Sequence, residues 1–328
     1  MTIRLFIRAM GTRAAAAAFF VAAASAGAQS YPAKPVRVVL GFPAGTTVDV
    51  LARPIAQKLG DRFGHQFIVD NRPGATGMIA NELAAKAAPD GYVLLVAPGS
   101  SITSNPHLRL KMPYDTLKDL APITQIGAFP YVLIAHPTVP VKTVKDLISL
   151  ARAKPGYLSF GSSGVGSGFH LGGELLKTLA RVDILHVPYK GGNLALSELA
   201  AGDIDFMFYS LAVAQPLIKA GKVRPIGVTG KKRDPLLPDV PPLSQSGLPG
   251  YDMTGWHGFF APGATSREIV NQLNGAIVQI LGLPEMRQLW AANGMEVVTN
   301  TPEQFAAKVR SEYERYGKLV RAAGIEPR

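Results

Sequence analysis

The 328-residue chain contains no cysteine. A disulfide framework and a lipid-bearing cysteine at a cleavage site are therefore excluded, and the fold must be held by its core alone. His65, His107, His136, His186 and His257 show no metal-ligand spacing, so no zinc site is indicated. The apolar run from Ala14 to Ala24 falls short of the roughly 20 residues that a permanent membrane anchor needs. Basic runs are scarce as well. Lys231-Lys232-Arg233 is the only run of three, has no aromatic neighbours on which bases could stack, and reads as a solvated loop, so no nucleic-acid partner is expected.

What is present begins with an export signal. Arg4, Arg8 and Arg13 precede the apolar run, and small residues end it at Ala26-Gly27-Ala28, the pattern of a secretory signal cut after Ala28. An uncleaved anchor is the weaker alternative. Cleavage leaves 300 residues, enough for two domains with separate cores. The net charge is +11, and loss of the three signal arginines leaves +8, which suits acidic small ligands.

From Tyr157 to Leu179 the sequence reads as a short apolar strand, a loop of glycines and serines, and a helix with Leu171, Leu175 and Leu179 along one face. Ser162 or Ser167 is placed to cap that helix. Gly161, Gly164, Gly166 and Gly168 allow backbone N–H groups to turn inward, and the helix N-terminus adds unpaired donors, which together make a receptacle for an anion. Phosphate is not the favoured anion: Phe169 stands where a dinucleotide loop needs its third glycine, and no GK[ST] follows Gly168 or Gly173. No serine has the flanking glycines of a nucleophile elbow. The competing reading is a plain surface loop.

A second unit of like design lies near the start. Val36 to Leu40 is a strand, residues 41–49 form the loop, and Leu51, Ile55 and Leu59 mark a helix that Thr46, Thr47 or Asp49 can cap. Further strands are expected at Phe67–Val69, Tyr92–Val96, Ile123–Ala135, Asp183–Val187, Asp205–Tyr209, Val223–Val228 and Glu296–Val298. Alternation with helices, including one through Ile79, Leu83 and Ala84, implies parallel sheets. Ser100 and Ser101 lie at the carboxyl end of a strand, the edge where open α/β sheets hold ligands. The chain crosses between domains near 130 and again near 254, giving a discontinuous first domain of 29–130 and 254–328 and a continuous second of 131–253. Such a body hinges about two linkers around a ligand.

FPAGTTVD at 42–49, NRPGATG at 71–77, PDGY at 89–92, MPYD at 112–115, SSGVGSGFHL at 162–171, HVPYKGG at 186–192, KAGKVRPIGVT at 219–229 and LPDVPPLSQSGLPGY at 237–251 resemble the substrate-binding receptors of tripartite tricarboxylate transporters, the Bordetella uptake gene family. The resemblance runs over essentially the whole mature chain. It implies an α/β periplasmic-binding-protein fold of type II, a two-domain Venus flytrap. It also implies a monomer without cofactor that captures a small carboxylate and delivers it to two integral-membrane subunits.

Carried over residue by residue, the resemblance puts Ala44, Gly45, Thr46 and Asp49 in one wall of the site and Ser162, Gly166, Ser167 and His170 in the other, with Tyr189 and Asp205 as side-pocket residues. The family often has two glycines where this chain has Gly45-Thr46, and Thr46 does not readily take a positive φ. Tyr209 and Phe129 read as core aromatics. Two other functions stay open: an exported hydrolase acting on acidic substrates, invited by serines and His170 in one loop, and a receptor that presents its ligand to a membrane sensor.

Overall fold

The computed structural model describes residues 31–322 and 324–327, so the expected export signal and its cleavage point lie outside the described residues. Residues 1–33 make a unit of their own, of which 31–33 are described; the fold below is that of the second unit, 34–328.

The first strands and helices follow from the apolar runs between glycine-rich loops. Strand β1 (Val36–Leu40) leads into helix α1 (Thr47–Phe63), whose Leu51, Ile55 and Leu59 are buried as their spacing requires. Strand β2 (Phe67–Asn71), helix α2 (Met78–Ala85), strand β3 (Val93–Pro98) and the short helix α3 (Gly99–Thr103) follow. β1 pairs in parallel with both β2 and β3.

Strand β4 (Leu120–Ala135) then does something an ordinary strand does not: it belongs to two sheets. Its first part pairs antiparallel with strand β9 (Thr254–Pro262), which also pairs with β3. Its second part pairs with strands β7 (Phe206–Ser210) and β8 (Arg224–Val228). In this second lobe β7 and strand β6 (Leu185–Pro188) flank strand β5 (Ser159–Ser162) in parallel. Helices α4 (Val144–Ala153), α5 (Gly168–Ala180), α6 (Gly192–Ala201) and α7 (Leu211–Lys219) connect these strands. After β9 the chain returns to the first lobe with α8 (Arg267–Gly282), α9 (Pro284–Ala292) and α10 (Pro302–Ala322).

Each lobe has a buried cluster. Val39, Leu95, Ile102, Trp256, Phe260 and Phe305 anchor one, and Val132, Ile134, Leu199, Met207 and Tyr209 anchor the other. Helix starts are fixed as their sequences dictate: Thr143 and Asp146 form a capping box, as do Thr301 and Gln304, and Ser266 accepts from Ile269 N–H.

Three expectations need correction. Leu179 is exposed, because the buried face of α5 turns through Leu171, Leu176 and Ala180, with Gly172 against Phe208 and Gly173 against Phe160. Ile79 is half exposed, since α2 buries its small residues Ala80 and Ala84 instead. Glu296–Val298 forms no strand; Glu296 makes a single antiparallel bridge to Ala128. Among the described residues no helix is long and apolar enough to cross a membrane.

Candidate functional site

A cavity of about 50 Å³ lies where the lobes meet. The first lobe contributes Phe42, Thr46, Thr47, Val48, Pro98 and Ser100; the second contributes Ser163, Ser167, Gly168, Phe169, Gly192 and Tyr209; the crossing strands supply Phe129, Tyr131, Trp256 and His257. A helix leaves its first amides without intrahelical partners, and two such starts meet here. At α1, Thr46 occupies the cap position, but its hydroxyl donates to Pro43 O at 2.7 Å and caps nothing. The amides of Thr47 and Val48 are therefore left uncapped at the cavity wall. At α5, Ser167 Oγ accepts only from His170 N–H, which leaves the amides of Gly168 and Phe169 for the cavity. Both helix ends carry positive dipole character, so a single anion between them is favoured from two directions.

The loop before α1 is held by Asp49. Its carboxylate accepts from Gly45 N–H at 3.0 Å, from Asn71 Nδ2 at 3.0 Å and from both nitrogens offered by Arg53 at 2.8 and 2.9 Å. Burial works to raise its pKa, and those hydrogen bonds outweigh burial, so the carboxyl sits below its ordinary value. Gly45 takes the left-handed turn, with φ of 76°, and Thr46 stays extended at −79°, so the loop needs no second glycine.

Of the residues expected in the site, Thr46, Ser100 and Ser167 line the cavity; Ala44, Gly45, Asp49, Ser101, Ser162, Gly166, His170, Tyr189 and Asp205 do not. Most of these hold loops in place. Ser101 Oγ donates to Pro98 O, and Asp205 accepts from the backbone N–H and hydroxyl of Ser159 at 2.7 and 3.0 Å. His170 Nδ1 accepts from Gly166 N–H at 3.1 Å, and Ser162 Oγ lies 2.7 Å from His186 Nε2. Gly166, with φ of 85°, abuts Leu108 of the other lobe. Beside it Ser104 Oγ approaches Gly166 O at 2.6 Å, and Thr76 Oγ1 donates to Val165 O at 3.2 Å, so these bonds hold the lobes together at the cleft. Tyr189 belongs to an outer crevice of about 520 Å³ that shares Phe42 and Ser163 with the cavity.

Sequence reasoning missed the rings. Phe129, Tyr131, Phe169, Tyr209, Phe42 and Trp256 dominate the lining, although Phe129 and Tyr209 are also buried as core aromatics would be. The signal was the glycines: a Cβ at Gly168 would lie 2.2 Å from Tyr131 Oη, one at Gly192 2.3 Å from Tyr209 Cε2, and one at Gly255 2.6 Å from Tyr131 Cε1. Burial pushes the hydroxyls of Tyr131 and Tyr209 above their ordinary pKa, so both remain protonated. Burial likewise pushes His257 down to about 3, which keeps it neutral. No residue lining the cavity carries a charge. Lys231, Lys232 and Arg233 instead face a larger crevice of about 1000 Å³ whose lining also contains Asp234, Asp252 and Glu296.

Two α/β lobes joined by crossing strands, with a cavity between them, define a two-domain fold of the periplasmic-binding-protein type. The profile of the family described as TctC, tripartite tricarboxylate transporter family receptor, matches residues 51–325, and the chain belongs to that family. It is 36% identical over 292 residues to a UPF0065 protein from the tcbD-tcbE intergenic region of Pseudomonas sp. strain P51, covering 89% of this chain and 87% of that one. Among solved structures, R. palustris Rpa4515 with adipate superposes with a TM-score of 0.87 at 36% identity, over 91% of this chain and 100% of the other. MatC (Rpa3494) from Rhodopseudomonas palustris with bound malate gives 0.83 at 31% identity, over 88% and 100%.

Proposed function

We propose that this protein is a periplasmic receptor that captures a small carboxylate between its lobes and hands it to the two membrane subunits of a tripartite tricarboxylate-type transporter. The observation that carries the reading is the meeting of two helix starts whose first amides, those of Thr47-Val48 and Gly168-Phe169, take no side-chain cap bond, at one cavity. Adipate and malate in the two related structures support the choice of anion. The lobes, bounded near 130 and 254, hinge about β4 and β9, and ligand contacts from both walls favour the closed arrangement because only there are both available. Export through a cleaved N-terminal signal delivers the protein to the periplasm.

The hydrolase reading has one observation in its favour, the hydrogen bond between Ser162 and His186. Ser162 is fully buried and does not line the cavity, so a substrate held there does not reach its hydroxyl. Calorimetry of the exported protein against a panel of mono-, di- and tricarboxylates and acidic amino acids should give one-to-one binding of at least one acid, with a smaller radius of gyration in its presence. Heat from none of them, or turnover of an ester substrate, would overturn the receptor reading.

A further inference from the structure

Building on that receptor reading, we infer that His170 is a positioning residue that makes ligand capture depend on pH: closure of the lobes requires its imidazole to be neutral, and a proton on Nδ1 loosens the grip on the ligand. One peptide group links the ring to closure. A planar trans peptide carries its oxygen and its hydrogen on opposite sides. In the unit joining Val165 to Gly166, the oxygen accepts from Thr76 Oγ1 of the first lobe at 3.2 Å, and the N–H donates to His170 Nδ1 of the second at 3.1 Å. The next carbonyl, Gly166 O, accepts from Ser104 Oγ at 2.6 Å, and Leu108 abuts Gly166 itself. The peptide is held by one lobe at its oxygen and by the other at its hydrogen, so its N–H cannot turn from His170 without pulling the oxygen from Thr76.

A backbone N–H only donates, so Nδ1 must offer a lone pair and the proton of the neutral ring belongs on Nε2. Protonation turns Nδ1 into a donor facing a donor. With the lobes apart the loop turns aside without losing a cross-cleft bond; with the lobes together it does so only by giving up Thr76 and Ser104. The open form therefore binds the proton more readily than the closed form. Affinity is full above the pKa of the open form and falls as pH drops through it. The surrounding charges were traced element by element. On α5 itself, Glu174 Oε1 lies 3.7 Å from His170 Nε2 and 3.1 Å from Lys177 Nζ, and from β6 the His186 ring lies 4.0 Å away between centroids. These belong to the same lobe and act on both forms alike. Strands β5 and β7 meet α5 with Phe160 and Phe208, while Tyr131 and Tyr251, both kept protonated by burial, reach it at Gly168 and Gly172. Helix α10, packed on α5, carries Glu312 and Arg315, paired with each other at 2.8 Å, and the turn before Leu108 carries His107, whose Nε2 lies 2.8 Å from Tyr313 O.

Calorimetry of the exported protein tests this, with adipate, malate and then the rest of the carboxylate panel as probes, between about pH 8 and pH 6 in two buffers of different ionisation enthalpy. For a ring that titrates at the ordinary 6.5 in the open form, affinity should fall about fourfold over that range, with about half a proton released on binding near pH 6.5. His170→Asn keeps an acceptor for Gly166 N–H in its Oδ1 and does not titrate, so it should bind within threefold of the parent at pH 8 and lose both the pH dependence and the proton release. His170→Ala offers no acceptor and should bind at least fivefold more weakly at pH 8. Level affinity with no proton released by the parent protein overturns the inference whether or not the variants fold, and so does an asparagine variant that keeps the parent's slope. Either result leaves the receptor reading standing; if no acid binds at all, both readings fall.

Discussion

Replacing Gly166 by alanine separates closure from folding. The residue has φ of 85°, where a Cβ costs about 1–2 kcal/mol in any state of the folded lobe. The added atom would also lie 2.2 Å from Leu108 Cδ1, which belongs to the other lobe and meets Gly166 only when the two are together. Leu108 is buried, so its side chain has little freedom to turn aside, and overpacking of this kind costs about 1–3 kcal/mol. The backbone penalty is common to open and closed forms and cancels from binding; the clash does not. Gly166→Ala should therefore lower stability to urea by about 1–2 kcal/mol and independently weaken carboxylate binding about 5- to 150-fold. Removing the obstructing atom with Leu108→Ala in the same chain should restore most of the affinity and none of the backbone penalty. Calorimetry with an acid shown to bind the unaltered protein, run beside urea titrations, reads both quantities. Unchanged affinity in a variant whose stability has fallen, or a double variant no better than the single, would show that closure does not bring Leu108 onto Gly166.

Three further outcomes follow from the same geometry. Ser104→Ala removes the hydroxyl shared between Gly166 O and Ser100 O, and should weaken carboxylate binding about 3- to 10-fold by calorimetry, the weight of one buried hydrogen bond. Asp49→Asn should destabilise the protein at pH 7 by about 1 kcal/mol, discounted because Arg53 is half exposed. Because the Asp49 pKa is lowered by folding, its contribution is present above the ordinary carboxylate range and is lost as pH falls through the folded value, so the gap between variant and parent in urea unfolding should narrow toward pH 3. His257 has a folded pKa of about 3 against an ordinary 6.5, so between those values the unfolded chain binds a proton that the folded chain refuses. Stability should then fall toward acid by up to about 1.4 kcal/mol per pH unit from this residue, with no contribution above pH 6.5, and His257→Phe should flatten that slope.

Much of the fold was legible because strands such as Val36–Leu40 and helix α1 carry their own periodicity and α10 its own cap, and because an apolar run with Pro130 near its middle announced the crossing strand. Leu179 and Ile79 were misplaced since i,i+4 spacing alone does not say which stripe of a helix meets glycine-thinned neighbours. The candidate cavity was legible in the helix starts that border it and not in its walls. Helix starts at residues 46–48 and 167–169 can be read locally. The rings cannot, because Phe42, Phe129, Phe169, Tyr209 and Trp256 come together from five segments and look individually like core. Asp49, His170 and Asp205 do not line the cavity: Asp49 and His170 bond within the loops beside it, and Asp205 bonds to Ser159 at the start of β5.

The position of β9 between β3 and β4 also governs the order in which the chain can finish folding. A lobe made of residues from the middle of the polypeptide has all its strands as soon as it emerges. The other keeps two unsealed strand edges until residues 254–262 arrive to close the gap between them. A polypeptide in transit would therefore stay incomplete for most of its length, and the late insertion of one central strand would commit the whole molecule to its final shape.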